Sequence, residues 1–416
     1  MQAQASGSAR QIVVVGGGAA GLMTAIVARQ TYPELGVTVL DGADRLGRKI
    51  LISGGGRCNV TNRVVHPRDF NGGPRRIIGR VLRAWTVDDT VRFFADLGVT
   101  LHEEPGGKLF PDTHRAATIL DALLAAAGRA GVVIRTGHRV DAVMREGGGF
   151  TLRAGPATIR GDRVVLASGG LSVPQTGSDG AGYGFARALG HTLVPTTPAL
   201  VPLLLGVGFH DSVTGVSHPA EVIVSAGGRN LARTRGALLW THVGASGPAV
   251  LDASRHWHRA ELERRNPVVH VQLRPGLTFE AIEEEMVTAA VARPRSSVGT
   301  VVSEWLPASL AAELLSAVGV AGDTTMAHLT RDARRTLVHA LAAWPLDVTG
   351  SRGYRVAEVT AGGVPLEEID AATMASRRCP GLYLAGEILD VDGRIGGFNF
   401  QWAWASGAVA GRAVGR

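Results

Sequence analysis

Cysteine, lysine and aromatic residues are scarce in this chain of 416 residues. Cys58 and Cys379 are the only cysteines, too few for a disulfide framework and too far apart for a C-x-x-C redox pair. No stretch has the apolar length that spans a bilayer, and Met1 to Gln11 holds no apolar signal-peptide core. These absences predict a protein that has no membrane span and is located in the cytoplasm.

Basic residues outnumber acidic ones, and the formal net charge is +7 at pH 7. Only Lys49 and Lys108 are lysines among the 43 basic residues, and the arginines are scattered along the chain. Without a dense basic run, and with aromatic residues at only 5%, the composition argues against a nucleic acid partner. We assign no metal site from the sequence, and the oligomeric state is left open.

Glycine, in contrast, is abundant, with 56 residues that cluster near both ends of the chain and around residue 54. The first cluster has the pattern G-x-G-x-x-G, filled by Gly16, Gly18 and Gly21. It follows a predicted buried strand, Gln11 to Val15, and opens a predicted helix, Ala19 to Arg29. In this context the glycines permit a tight turn and close backbone approach, and the helix N-terminus faces a pyrophosphate.

Two further segments complete the predicted dinucleotide site. A second strand, Val37 to Leu40, ends at Asp41, where an acid can bind a ribose. A buried strand, Arg163 to Leu166, runs into Ala167-Ser168-Gly169, the expected place for the chain to return beneath a dinucleotide. The alternative for this last segment is an ordinary strand followed by a glycine turn. Because glycine segments at both ends of the chain would contact one cofactor, we expect FAD.

The remaining chain predicts an insertion. Gly177 to His191 forms a glycine turn before a short helix, but no β-branched strand precedes it, so no dedicated NAD(P) domain is expected. Beyond it, β-rich segments are followed by helical ones and then by a terminal helix. The predicted strands are Ala220 to Ser225, Ala237 to Thr241 and Val268 to Leu273, and the predicted helices are Phe279 to Ala290, Val301 to Trp305 with Ala308 to Val318, Thr330 to Ala342 and Asn399 to Val414.

The expected fold class is therefore α/β. It consists of a discontinuous Rossmann-like FAD-binding domain with an inserted small β-barrel and helical domain. The predicted boundaries are 1–194 with 346–416 for the FAD-binding domain, 195–276 with 336–345 for the β domain, and 277–335 for the helical subdomain.

Three motifs resemble those of the YhiN/BaiN-type flavoprotein family of NAD(P)/FAD-dependent oxidoreductases. They are Ile52 to Asn62, Val359 to Val364 and Ala385 to Ala403, and the resemblance covers nearly the whole chain. It implies non-covalent FAD beneath the inserted domains. The reactions proposed for relatives include oxidation of aminoacetone and reduction of steroid-like enones.

Glycine-rich and polar positions carry the cofactor contacts that the motifs and the resemblance imply. The pyrophosphate would be held by Gly16, Gly18, Ala19, Ala20 and Gly21, the ribose by Asp41, a phosphate or the adenine edge by Arg48 and Lys49, and the adenine by Val140. The ribityl chain and ring would be contacted by Ser53, Gly54, Gly55, Gly56, Arg57, Cys58 and Asn59, and the underside of the dinucleotide by Ala167, Ser168 and Gly169. The ribityl and pyrophosphate region would be contacted by Gly386 and Glu387, and the flavin O2 and N1 side by Gly396, Gly397, Phe398 and Asn399.

Two of these assignments leave alternatives open. Cys58 either packs against the flavin ring or is a reactive or covalently attached thiol. The turn 177–184 carries Ala181 where an acid is common in the family, so its contact with a cofactor is left open.

The chemistry is expected at flavin N5, which exchanges a hydride with substrate while the protein positions substrate and supplies a proton. His242 and Tyr354 are the candidate catalytic residues, although His242 also fits a structural histidine at a strand end. The predicted function is hydride transfer between FAD and an unidentified small organic substrate, with NAD(P)H as candidate reductant. The alternative is a regulatory or RNA-binding flavoprotein without turnover of small molecules.

Overall fold

The computed structural model describes residues 10–416, which fall into two compact units. The first unit extends to Thr196 and resumes at Val359 to the C-terminus, and the second is Thr197–Glu358. The expectation for Met1 to Gln11 lies almost entirely outside the described residues. The finer division into a β domain and a helical subdomain remains a prediction.

A five-stranded parallel sheet is the centre of the first unit, as expected for a Rossmann-like fold. The strand that precedes the glycine turn is central, with Val13 opposite both Val164 and Thr38. Its β-branched residues are buried because helices cover both faces of such a sheet. The strand order is Leu382–Leu384, Arg163–Leu166, Gln11–Val15, Gly36–Leu40 and Val133–Arg135.

The helices of the first unit are Ala19–Thr31, Arg48–Gly56, Arg75–Ala84, Val87–Asp96, Ala116–Arg129, Ala181–Ala188 and Phe398–Ala413. Smaller antiparallel groups are Ala142–Glu146 with Gly149–Ala154 and Ala157–Gly161, Thr61–Asn62 with Lys108–Pro111 and Leu101–Glu104, and Phe70–Gly72 with Val391–Gly393; Val194–Ala199 and Val359–Gly363 are further strands.

The first and last helices of the described chain pack closely. A Cβ on Gly407 would lie 2.6 Å from the carbonyl oxygen of Ala20, and one on Gly411 would lie 2.7 Å from that of Thr24. Glycine is therefore required where the two backbones approach. This packing brings the C-terminal segment to the glycine turn of the N-terminal strand.

The second unit is built on a seven-stranded antiparallel sheet. Its two end strands, Trp344–Leu346 and Val348–Ser351, follow each other directly in the chain. The antiparallel sheet agrees with the β-rich character expected of this segment, and its closure into a barrel remains a prediction. The other strands are Val268–Gln272, Ser217–Ala226, Arg229–Thr241, Gly244–Ser246 and Leu203–Leu205.

Helices share one hydrophobic core with this sheet, in which Trp240 packs together with Met286 and Leu337. They are Pro248–Leu262, Phe279–Ala292, Val298–Ser303, Ala308–Ala317 and Arg331–Ala342. Across residues 10–416, no helix combines the length and apolarity needed to cross a bilayer. The cytoplasmic location stays a prediction.

Candidate cofactor-binding site

The glycine turn after the first strand packs as its spacing predicts. Gly16 has a φ of +106°, and a Cβ at this position would lie 2.5 Å from the carbonyl oxygen of Ala167. A Cβ on Gly21 would lie 1.9 Å from the carbonyl oxygen of Gly16. These two glycines therefore allow the turn, the first helix and the strand end at Ala167 to approach one another.

Gly18, unlike Gly16 and Gly21, borders open space, because a Cβ there would meet no protein atom within 4 Å. Gly18 is the N-cap of helix Ala19–Thr31, which has no side-chain cap and no acidic residue in its first turn. The helix therefore presents unpaired N–H groups and its positive dipole end to open space. This arrangement fits a pyrophosphate.

Asp41 lies at the end of the second strand, beside the glycine turn. Its Oδ2 accepts a hydrogen bond from the Gly17 N–H at 2.7 Å, and its Oδ1 accepts one from Ala43 at 2.8 Å. Each carboxylate oxygen has a second lone pair for a ribose hydroxyl. Val140, the candidate for the adenine, is buried and follows Arg139, which packs beside Gly42.

Lys49 and Glu387, both assigned to the cofactor from the sequence, pair with each other. The Lys49 Nζ lies 2.5 Å from Glu387 Oε2. Glu387 Oε1 also accepts hydrogen bonds from the Ser172 hydroxyl at 2.5 Å and from the Thr360 N–H at 2.9 Å. Sequence analysis did not find Ser172 or single out Thr360, although Thr360 lies in one of the quoted motifs. Arg48, in contrast, donates to the carbonyl oxygen of Gln175 at an exposed position.

The glycine loop Ser53–Asn59 begins inside the helix Arg48–Gly56, whose backbone departs from helical geometry at Ser53. Gly54 and Gly55 have φ values of +56° and +69°, and a Cβ on Gly55 would meet no protein atom within 4 Å. The loop therefore presents bare backbone to open space. At its end, Cys58 is buried, and this burial raises the pKa of its thiol to about 12.

Asparagine side chains tie the glycine loop to the start of the last helix. With its amide oriented to satisfy both neighbours, Asn59 donates to the Thr61 carbonyl oxygen and accepts from the Gly397 N–H at 3.1 Å. Asn62 Nδ2 donates to the Gly396 carbonyl oxygen at 3.1 Å. The second and third glycine clusters of the sequence are therefore adjacent.

Other candidate side chains in this region contact protein rather than open space. Asn399 donates to and accepts from the backbone of Gly393, at 2.9 and 2.8 Å. The Phe398 ring is buried against Phe70. Arg57 forms an ion pair of 2.6 Å with Glu104. These positions offer a cofactor their backbone, and their side chains hold the surrounding segments.

Gly386 brings the C-terminal segment to the first helix. A Cβ on Gly386 would lie 2.8 Å from the Ala20 Cβ. Its N–H donates to Ser406 Oγ at 2.9 Å, and its carbonyl oxygen accepts from Trp402 Nε1 at 3.2 Å. All three glycine clusters therefore meet around the N-terminus of the first helix and the start of the last helix.

The strand end at Ser168 meets the turn 177–184, whose role the sequence left open. A Cβ on Gly182 would lie 1.9 Å from Ser168 Oγ, and the Gly180 N–H donates to the Gly170 carbonyl oxygen at 3.1 Å. The hydroxyl of Ser168 is buried, and among the described residues it has no hydrogen-bond partner. Such an atom fits a site that a polar ligand completes.

Both candidate catalytic residues belong to the second unit. His242 is exposed in the turn between strands Arg229–Thr241 and Gly244–Ser246. Tyr354 is half-buried and follows the strand Val348–Ser351. Their assignment to catalysis remains a prediction.

A parallel sheet with a glycine turn at its carboxyl edge and an uncapped helix above it defines a Rossmann-like dinucleotide-binding protein. Residues 10–413 match the family described as HI0933-like protein Rossmann domain, and the chain belongs to that family. This confirms the expected YhiN/BaiN-type flavoprotein family and makes the protein a flavin-dependent oxidoreductase.

Characterised relatives match the chain over nearly its full length. It is 34% identical to the 3-dehydro-bile acid delta(4,6)-reductase of Clostridium scindens, with 97% of this chain and 98% of the relative covered. It is 35% identical to the ribosomal RNA dihydrouridine synthase of Escherichia coli, with 95% of each covered. The synthase of the same name from Haemophilus influenzae is 34% identical, with 97% and 98% covered.

Solved structures of low sequence identity share the fold. The 3-ketosteroid delta1-dehydrogenase of Sterolibacterium denitrificans aligns with a TM-score of 0.51 at 12% identity and covers 98% of this chain and 100% of its own. The Sdh1 complex of Mycobacterium smegmatis aligns with a TM-score of 0.50 at 16% identity, with 98% and 68% covered.

Proposed function

We propose that the protein is an FAD-dependent reductase of a carbon–carbon double bond conjugated to a carbonyl group. The observation that carries this proposal is the meeting of the three glycine clusters around an uncapped helix N-terminus. The names of the relatives supply the reaction type. A delta(4,6)-reductase of a 3-dehydro bile acid and a dihydrouridine synthase both saturate a double bond in conjugation with a carbonyl.

FAD would contact mostly backbone in this cradle. The N–H groups at the start of helix Ala19–Thr31 suit the pyrophosphate, and Asp41 suits the adenosine ribose. The bare backbone at Gly55 and the start of helix Phe398–Ala413 suit the ribityl chain and the flavin ring. When bound, FAD supplies a hydride from N5 to the electrophilic carbon of the substrate.

The protein would orient the substrate, exclude water and deliver a proton to the carbon next to the carbonyl. His242 and Tyr354 are the side chains that we propose for this proton transfer, because each carries an exchangeable proton. NAD(P)H is proposed as the source of electrons, which the flavin would receive directly.

A uridine in RNA is the second candidate substrate. Its support is the 35% identity to a ribosomal RNA dihydrouridine synthase over 95% of both chains. The C5=C6 bond of uracil is conjugated to the C4 carbonyl, so the same hydride chemistry would apply. If RNA is the substrate, the RNA binding that we considered for a regulatory or RNA-binding flavoprotein would instead bring the uridine to the flavin.

One set of experiments separates these substrates. The purified protein is examined for a flavin spectrum and is then reduced anaerobically with NADH and with NADPH. The reduced enzyme is offered a 4-en-3-one steroid and, separately, an unmodified ribosomal RNA transcript. Flavin reoxidation with a saturated product identifies the substrate class. A protein that binds no FAD, or a reduced enzyme that reacts with neither probe, would contradict the proposal.

A further inference from the structure

Two histidines and one glutamate form a cluster at the end of an antiparallel strand pair in the first unit. His102 and Glu104 lie on the strand Leu101–Glu104, and their spacing of two residues places them on the same face. His114 follows the partner strand Lys108–Pro111. One ligand atom from each of the three side chains lies within 4.8 Å of the others.

His102 is held in an orientation that suits metal binding. Its Nδ1 lies 3.1 Å from Asp112 Oδ1, and its Nε2 lies 3.6 Å from Glu104 Oε1. A metal-bound histidine commonly donates its other ring N–H to a carboxylate, which fixes the ring and makes the ligating nitrogen more basic. Asp112 occupies that position relative to His102.

The Nε2 side of His102 then faces a carboxylate oxygen. With the ring hydrogen on Nδ1, His102 Nε2 and Glu104 Oε1 are both acceptors, and they lie 3.6 Å apart. A cation between these two atoms would satisfy both. Two ligands bound at about 2.1 Å to a tetrahedral zinc ion lie about 3.4 Å apart. The observed separation therefore needs little adjustment to hold such an ion.

His114 supplies the third ligand from the neighbouring turn. Its ring centroid lies 4.6 Å from that of His102, at an interplanar angle of 56°. Its backbone has a φ of +51°, in the left-handed region, and its N–H donates to the Pro111 carbonyl oxygen at 2.8 Å. The His114 side chain is exposed to solvent.

We propose that His102, Glu104 and His114 bind one Zn²⁺ ion, with the fourth coordination position open to water. Two imidazoles and one carboxylate are a ligand set that zinc accepts. Arg57 of the glycine loop lies 2.6 Å from Glu104 Oε1 and stacks over Phe110, so a carboxylate that binds the ion would stay paired with Arg57. Through Arg57 the zinc site adjoins the glycine loop Ser53–Asn59, which is proposed to contact FAD.

The test uses untagged full-length protein that has been stripped with a chelator and dialysed. Zn²⁺ is titrated in competition with a chromophoric chelator, and bound metal is counted by elemental analysis. The wild type should bind one ion. The double variant His102→Ala/His114→Ala should lose it, while a control variant of two exposed histidines elsewhere, His66→Ala/His328→Ala, should retain it. Asp112→Asn should weaken binding about tenfold without abolishing it.

Circular dichroism establishes that each variant is folded. If the double histidine variant does not fold, Glu104→Gln provides the same comparison and should also lose the ion. Absence of Zn²⁺ binding in the wild type, or equal binding by the wild type and the folded His102→Ala/His114→Ala or Glu104→Gln protein, would overturn the proposal. Neither result depends on whether FAD is bound or any substrate is turned over.

Discussion

Lys49 and Glu387, 338 residues apart in the chain, form an ion pair of 2.5 Å between Nζ and Oε2. The pair joins the helix Arg48–Gly56 to the segment that precedes the last helix. Ser172 and Thr360 bind the other carboxylate oxygen, so Glu387 links four separate parts of the first unit. Two residues that sequence analysis assigned to the cofactor thus bind each other and join separate segments of the first unit.

A double-mutant cycle on this pair should show coupling. Lys49→Met and Glu387→Gln should each lower the free energy of unfolding by about 1–3 kcal/mol, because each leaves a partly buried polar group with a missing partner. The coupling between them should be about 1 kcal/mol, since both side chains keep some contact with solvent. Urea unfolding at saturating FAD measures these values.

The exposed pair Arg265 and Glu263 is the matched control for that cycle. Arg265→Met and Glu263→Gln should show almost no coupling because solvent screens both charges. If the loss of unfolding free energy in the double variant of Lys49 and Glu387 equals the sum of the two single losses, as for the control pair, their contact does not stabilise the first unit.

Gly18→Val should separate cofactor binding from folding. Gly18 has an extended backbone, with φ of −81° and ψ of −169°, which any residue can adopt, and a Cβ there would meet no protein atom within 4 Å. The unfolding free energy without FAD should therefore change by less than about 1 kcal/mol. FAD affinity should fall more than about tenfold, because the side chain enters the space proposed for the pyrophosphate.

Gly128→Ala provides the control for Gly18→Val. Gly128 lies in helix Ala116–Arg129, and a Cβ there also meets nothing within 4 Å. This substitution should raise stability by about 0.5–1 kcal/mol and leave the flavin content unchanged. Fluorescence titration with FAD compares the two proteins. Full FAD affinity in Gly18→Val would contradict the proposed position of the pyrophosphate.

Local patterns were sufficient to predict the elements around the glycine turn. The strand Gln11–Val15 has the predicted bounds, and the first helix ends two residues later than predicted. The last helix, Phe398–Ala413, starts one residue earlier than expected. In these segments strand burial, glycine spacing and helix composition all favour the same structure.

Other elements depend on distant partners. Sequence analysis assigned no helix to Pro248–Leu262, although proline is favoured in the first turn of a helix. The strands Trp344–Leu346 and Val348–Ser351 are short, and each pairs with a strand that is distant in the chain. Ser172 likewise joins the site through contacts with residues that are distant in the chain, Glu387 and Lys49.

Stability should fall in mild acid because of His191. This buried side chain contacts Glu368 Oε2 at 2.8 Å through Nδ1 and Ser376 Oγ at 2.7 Å through Nε2. Burial lowers the pKa of His191, and although Glu368 opposes this effect, Arg378 adds to it. The folded state therefore holds His191 neutral. The contribution of neutral His191 to the free energy of unfolding is fully present above pH 6.5, which is about the pKa of histidine in the unfolded chain. This contribution is lost as the pH falls below that value.

Substitution His191→Asn should reduce this part of the pH dependence. Urea unfolding of wild type and variant is compared at about pH 7.5 and about pH 5.5, on either side of the unfolded histidine pKa. The wild type should lose more stability than the variant between these conditions. Because other buried histidines titrate in both proteins, the difference between them is the informative quantity. An equal loss would assign the acid sensitivity to residues other than His191.

Cys58 should be chemically inert in the folded protein. Its side chain is fully buried, and burial raises the pKa of the thiol to about 12, so the reactive thiolate is almost absent at neutral pH. Iodoacetamide should therefore modify Cys58 slowly in the folded protein and completely in urea, as followed by peptide mass spectrometry.

The high pKa of the Cys58 thiol also implies that the flavin is held without a thioether bond, so denaturation and precipitation of the protein should leave all flavin in the supernatant. Rapid alkylation of Cys58 in the folded state, or flavin that remains on the precipitated chain, would instead favour a reactive or covalently attached thiol in the glycine loop.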